Sequence, residues 1–504
     1  MGAIGDSSSL GQVVPGSRAS WSVRAFAVSA VFFGLLLFNL CLPEPQGPAD
    51  NGDFSRTFSD FSAGPRGYAY YPPPGDPTYG ERFFRYYHRF WRTSEPAPGH
   101  AHRSSSRLLF FPGRLLAGAT GRDFDLAANA GVLALLLAAI AGATLRKLRG
   151  AAFVSLALLL VVMADAGISA YSNSFYQEAG AFFFGVALVC VLLLAWRRPG
   201  PWELAAVLSI GFLLSTAKIA YGPSVFLVLA VILLAALFRL PPGRVRMLRV
   251  AVVAGALVFA CTLGPYLLRV EEHGRYYAFN AVFDAMLPEI DPSERPGFLR
   301  RIGLSPELAT LSGRSGFELG GRLEDLPVFP LLGARLHARA VTELAVRHPR
   351  AFQRLLVRGG GEAGRYELPY LGYRTRSFSH ERQGLGGVRL WTSLRARWLG
   401  GWTAYAVGSA LCLLLFLMPR GRDPGGWLTF FRLGCLAFLV ASLGQVVIAV
   451  LGEGPVERTK HLYFANFLFD VHFLLGLCGV GAAAAGRLGG AQSGDFSSAS
   501  ATKG

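Results

Sequence analysis

Residues 173–198 read NSFYQEAGAFFFGVALVCVLLLAWRR. A polar, aromatic turn leads to one carboxylate, Glu178. Then come 18 residues without a charge, closed by Arg197 and Arg198. A run of that length is what a helix needs to cross the hydrocarbon core of a bilayer, about 20 mainly apolar residues. The arginine pair marks the cytoplasmic end, because Lys and Arg gather in short loops on that side. Glu178 and the polar turn therefore belong to the opposite end. One stretch of chain sets the class of the protein, a direction through the membrane, and the level at which polar groups collect.

The rest of the chain repeats the pattern. Its 504 residues are enough for three soluble domains by length. Composition excludes that: 52% of residues are hydrophobic and only 16% charged, against about 25% charged in soluble proteins. Mean hydropathy is +0.38. Ten apolar runs qualify as spans, at 22–42, 124–145, 151–170, 179–196, 202–219, 222–239, 250–268, 401–418, 427–451 and 462–485. The fifth and sixth are parted only by Tyr221, Gly222 and Pro223. The first run has no small-residue cleavage site after it and reads as an uncleaved anchor. The expected fold is thus an all-α polytopic membrane protein with about ten transmembrane helices and two outer-face segments.

Orientation follows from the short loops. Arg146, Lys147 and Arg149, then Arg197 and Arg198, then Arg239, Arg244, Arg246 and Arg249, then Arg420 and Arg422 all fall on one side of a ten-span chain. Both termini are expected in the cytoplasm, and the protein in the inner (plasma) membrane. The expected layout is a cytoplasmic N-terminus (1–21), a first helix (22–42), a first extracytoplasmic loop (43–123) and a six-helix region (124–268). A mainly helical extracytoplasmic domain (269–400), a three-helix region (401–485) and an unstructured cytoplasmic tail (486–504) complete it. Nucleic-acid binding is excluded, since the net charge of +17 is dispersed over short loops and the late outer segment. The six cysteines lie in or beside apolar runs, with neither CxxC nor Cys/His metal spacing.

Ionisable residues at span ends are costly and mark function by default. On the outer side four separated segments supply them. Asp53 and Asp60 follow the first span; Asp165, Asn173, Tyr176 and Glu178 surround the turn before the fourth. Lys218 ends the fifth; Glu453, Glu457, Arg458, Lys460 and His461 lie between the last two. Each has a plain alternative. Asp53 sits in a good turn sequence, Asn51-Gly52-Asp53. Glu178 opens a helix, where a carboxylate complements the dipole. Lys218 reads either as a snorkelling lysine or as a point-charge partner for phosphate. Only four of the 49 basic residues are lysine, and two of those, Lys218 and Lys460, sit at outer span ends. Asp470, with His472, lies inside the last span and reads as part of a supporting polar network.

An outward-facing site at the bilayer has no access to cytosolic nucleotide sugars. A polyprenyl-phosphate-linked sugar solves that supply problem, with an anionic head at the interface and a tail for the bilayer. Its transfer to a glycan acceptor needs a carboxylate to take the acceptor's proton and cations to stabilise the leaving phosphate. Asp53 and Glu178 fit the first role, with Asp60 in support or in substitution. Lys218, Arg458, Lys460 and His461 fit the second, with Asn173 and Tyr176 as substrate contacts. Asp53, Asp60 and Glu178 also offer oxygen ligands of the kind a divalent cation takes, but nothing in their spacing requires one, so the cofactor stays open.

The arrangement resembles the GT-C superfamily of integral-membrane glycosyltransferases, with many spans and an acidic site in the first outer loop, here Asn51-Gly52-Asp53-Phe54. Three further stretches resemble bacterial glycan-biosynthesis hexose transferases linked to surface and S-layer glycans. They are Asn173-Ser174-Phe175-Tyr176-Gln177-Glu178; Asn280-Ala281-Val282-Phe283 with Ile302-Gly303-Leu304-Ser305-Pro306; and Lys460-His461-Leu462-Tyr463-Phe464-Ala465-Asn466 with Phe469-Asp470. The resemblance implies a hexosyltransferase. One departure concerns the base: Phe54 follows Asp53, so the paired acids frequent in GT-C enzymes are missing. Two rival readings remain. A surface-polysaccharide polymerase or ligase would use Arg347, His348 and Arg350 of the late outer segment. A transporter of lipid-linked glycan should show repeats or midplane helix breaks, and the sequence displays neither.

Overall fold

The computed structural model describes residues 16–49, 87–91, 104–238, 272–319, 323–368, 372–374, 385–419, 426–452, 455 and 458–498. Its first helix, α1 (Gly16–Cys41), stops where Pro43 and Pro45 cannot continue it. After a short helix α2 (Phe111–Thr120) comes α3 (Leu126–Leu145), whose start is fixed by Asp125. That side chain accepts from the backbone N–H of Ala127 (3.0 Å) and Ala128 (3.1 Å), two of the donors a helix start leaves open. Arg89 holds the same carboxylate at 2.6 Å. Beside it two-residue strands, β1 (Phe90–Trp91) and β2 (Phe124–Asp125), pair antiparallel. They are the small exception to an all-helical expectation.

The apolar helices α4 (Gly150–Met163), α5 (Ala166–Ser169), α6 (Glu178–Arg197), α7 (Pro201–Ala217) and α8 (Gly222–Phe238) follow. α6 is the centre of the bundle: 83% of its apolar window is buried, against 28% for α1. It packs on α3 and α7 and also touches α4 and a C-terminal helix, α18. The next segment holds α9 (Glu272–Phe279), a π-helical turn over Asn280–Met286, α10 (Arg295–Ile302), α11 (Gly316–Leu319) and the pair α12 (Ala334–Arg347) and α13 (Pro349–Gly361). Its described residues are mainly helical. The chain then returns through α14 (Leu390–Trp398), α15 (Gly401–Leu417), α16 (Trp427–Gly452), α17 (Arg458–His461) and α18 (Tyr463–Ser498). α16 and α18 pack along each other and α15 packs on α18.

Small residues let these helices approach. A Cβ on Gly185 of α6 would stand 2.6 Å from the Phe467 ring of α18, and one on Gly408 of α15 would stand 2.7 Å from His472.

Five helices among the described residues are long and apolar enough to cross a membrane, and seven if two bent pairs each make one crossing. The protein is thus an all-α, multi-pass membrane protein. The expected run 151–170 is corrected: α4 ends at Met163, and the chain bends by 70° into Ala166–Asn173. The bend is set by Asp165, whose carboxylate accepts from Gly167 N (2.9 Å), Trp391 N (2.8 Å), Thr392 N (3.2 Å) and Thr392 Oγ1 (2.7 Å). The expected runs 202–219 and 222–239 become the shorter apolar helices α7 and α8. The run 250–268 lies outside the described residues. The tail, expected to be unstructured from 486, instead continues α18 to Ser498. Ala482–Ala485 favour that extension, since alanine has the best helix propensity and propagation is easy once a helix exists.

Candidate functional site

α6 and α7 are antiparallel neighbours joined by Arg198, Pro199 and Gly200, so the start of α6 and the end of α7 share one level. Glu178 is the first residue of α6. Lys218 ends α7 with an extended backbone (φ −145°, ψ 132°). Its Nζ lies 3.2 Å from Glu178 Oε1 and 2.7 Å from His461 Nδ1 of α17. An ammonium only donates, so Nδ1 of His461 accepts and the ring carries its proton on Nε2. Tyr221 Oη donates to the same Glu178 oxygen at 3.4 Å. Glu178 is 1% exposed, and Arg458, Lys460 and His461 are buried with it. Three residues separated widely in sequence thus form a carboxylate–ammonium–imidazole chain. Its ammonium and carboxylate are held close because an unpaired charge in such a place would be expensive.

The other two cations of α17 stand alongside. Lys460 Nζ lies over the Tyr176 ring, 4.9 Å from its centroid, a favourable cation–π position. Arg458 Nη1 donates to Glu362 Oε1 at 3.0 Å, tying α17 to the end of α13.

Tyr176 also joins the cluster to the segment after α1, because its Oη donates to Ala49 O at 2.7 Å. Asn173 sits behind it. Its Nδ2 donates to Leu40 O (3.1 Å) and Gln46 O (2.9 Å), and its Oδ1 accepts from Tyr87 Oη (2.7 Å). Expected to touch substrate, Asn173 has its amide engaged on the protein's own chain and fastens residues 40–46 to the turn before α6. Gly47 is required there, for a Cβ would come within 2.3 Å of Asn173 O. Asp53 and Asp60, with Glu453 and Glu457, lie outside the described residues. Among the described residues no three His, Cys, Asp or Glu side chains gather in a metal-holding group.

A second buried network surrounds Asp470, and its cation was not foreseen. Arg395 of α14 and Asp470 of α18 are both fully buried, with Nη1 2.5 Å from Oδ1. Tyr366 Oη donates to the other Asp470 oxygen. Asn466 accepts from Gly364 N (2.8 Å) and Arg395 Nη2 (3.1 Å). Both Asp470 oxygens are thus engaged by the protein's own groups. The missed signal was the acid itself: a carboxylate inside a span needs a cation, and Arg395 is the buried arginine that answers it. The network reaches the first cluster through a run of tyrosine rings: Tyr366 edge-on to Tyr463 (5.4 Å), Tyr463 tilted on Tyr171 (4.7 Å) and Tyr171 tilted on Tyr176 (6.0 Å). His472 lies deeper, its Nδ1 2.8 Å from Cys435 O.

The resulting end of the bundle carries a buried carboxylate, two ammonium groups, a guanidinium and an imidazole between aromatic walls. Such a set can hold a phosphate and relay a proton. The family model for the YfdI N-terminal transmembrane domain matches residues 17–487. No curated protein and no solved structure matches the chain.

Proposed function

The chain belongs to the YfdI N-terminal transmembrane domain family, and from that membrane setting we propose that it is a GT-C-type glycosyltransferase. It moves a hexose from a polyprenyl-phosphate-linked donor to a surface glycan or lipid-linked acceptor on the extracytoplasmic face. Both termini are on the cytoplasmic side of the inner membrane. The observation that supports this reading best is the convergence of Glu178, Lys218 and His461 beside Lys460 and Tyr176.

The reaction assigns each group a task. The acceptor oxygen bonds to the anomeric carbon as the bond from that carbon to the phosphate oxygen breaks. The hydroxyl proton passes to a carboxylate, and the electron pair leaves with the lipid phosphate. Asp53 is the proposed base. It follows Ala49 by four residues, a tether of at most about 14 Å, and Ala49 is held by Tyr176. Lys218, Lys460 and Arg458 stabilise the departing phosphate. Glu178 holds Lys218 in place until the phosphate offers it a second anion.

The polymerase reading is weaker. His348 is engaged between α12 and α13, with Nδ1 3.2 Å from Glu294 and Nε2 3.0 Å from Arg301. Glycan analysis of a deletion strain tests the choice. The expected result is a surface glycan lacking one hexose, restored by the wild-type protein and not by Asp53→Asn. Uniformly shortened chains would favour the polymerase, and an unchanged glycan would remove the proposal. Transfer from a nucleotide sugar in sealed cytoplasm-facing vesicles, with no lipid carrier, would overturn the assigned face.

A further inference from the structure

α14 and α15 meet at a corner of 97°. The corner is built in: Gly401 adopts φ 56°, a conformation glycine takes readily, and its N–H donates to Ala363 O at 2.7 Å. α15 is an apolar helix along the bundle. The nine-residue α14 is thus turned nearly at a right angle to that bundle helix.

The two faces of α14 differ. The inner face is bolted down. Trp391 and Thr392 donate their N–H groups to Asp165, and Arg395 is locked to Asp470 of α18. The opposite face carries Leu390, Leu394 and Trp398 at i, i+4 and i+8. These are 72%, 45% and 65% exposed. Arg397 lies over the Trp398 ring, 5.4 Å from its centroid. A leucine stripe ending in a tryptophan and an arginine is the composition of a helix lying in a bilayer interface, where aromatic rings and basic groups meet the headgroups.

We infer that α14 is an interfacial helix whose Leu390–Leu394–Trp398 stripe binds the acyl-chain boundary of one membrane leaflet. The occupant is lipid and not a protein, because only Leu399 and Gly400 part the stripe from the membrane-crossing α15. The inference does not rest on the glycosyl-transfer reading. It makes Arg395 the link between a lipid-facing surface and the buried network around Asp470.

The test places an environment-sensitive fluorophore at Leu394→Cys, in a background with the native cysteines replaced. The full chain is reconstituted in phosphatidylcholine–phosphatidylglycerol vesicles. Nitroxide lipids carry the quencher either near the headgroup or near the chain end. Val346→Cys, exposed on α12 of the outer domain, is the reference. Quenching at position 394 should exceed that at 346 by about twofold or more, and the headgroup-proximal nitroxide should quench more strongly. Leu390→Cys, on the same stripe, should behave alike and serves if labelling at 394 disturbs folding. Quenching equal to the reference at both positions overturns the inference. So does label-to-label excimer emission that rises with protein density, which would assign the stripe to a second copy of the chain.

Discussion

Glu178 and Lys218 illustrate what a single pair decides. The carboxylate is buried at the start of a central helix, and the lysine is its cation at 3.2 Å. Lys218→Met should therefore lower stability by about 3–5 kcal/mol, the usual result of stranding one buried charge, as read by thermal unfolding in detergent. Adding Glu178→Gln should recover most of that loss, because both charges are then gone, while sugar transfer stays absent. Normal transfer by the double variant would reduce the pair to a structural feature. Arg395→Met should cost a similar amount, since Asp470 is left fully buried without its cation. An unchanged melting temperature would contradict the ion pair. The first pair was legible in the sequence as polar residues at one membrane level, because span ends fix depth. The second was not, because Arg395 falls in a segment read as part of the outer domain. Depth along the chain says nothing of which side chains turn inward.

Elements were legible where apolar length alone defines them, as in α3, α6 and α16. They were misread where tertiary bonds shape them. Apolar character runs on past Met163, yet the helix breaks there because Asp165 is held by α14, more than 200 residues away in sequence. A cap and a contact give two checks at this scale. Asp125→Ala removes the α3 cap and the partner of Arg89. It should cost about 1–2 kcal/mol in thermal unfolding, and no loss would mean the cap is idle. Gly185→Val places side-chain atoms against the Phe467 ring. It should destabilise by about 1–3 kcal/mol through overpacking, and relief by Phe467→Leu would identify that contact as the cause.

At the scale of the whole molecule the basic loops make the orientation testable. A green fluorescent protein fused after Gly504 should glow. Alkaline phosphatase inserted between the exposed Pro330 and Leu331 should be active, and the reverse pattern would invert the proposed face. The crossing count was poorly legible, because bent pairs and short helices blur what one apolar run means. One further consequence concerns synthesis. Residues 39–49 are held from two sides, by Ala164 and Asn173 and by the far later Gly372, Tyr373, Gly386 and Val388. Gln46 and Gly386 are 340 positions apart. A ribosome must pass Val388 before residues 39–49 have all these partners. During that interval the polar groups of Asn39 and Gln46 lack their late partners, and the half-made protein presents a target to membrane proteases. Ribosome stalling before Gly386 should therefore yield a product that turns over faster than one stalled after Val388.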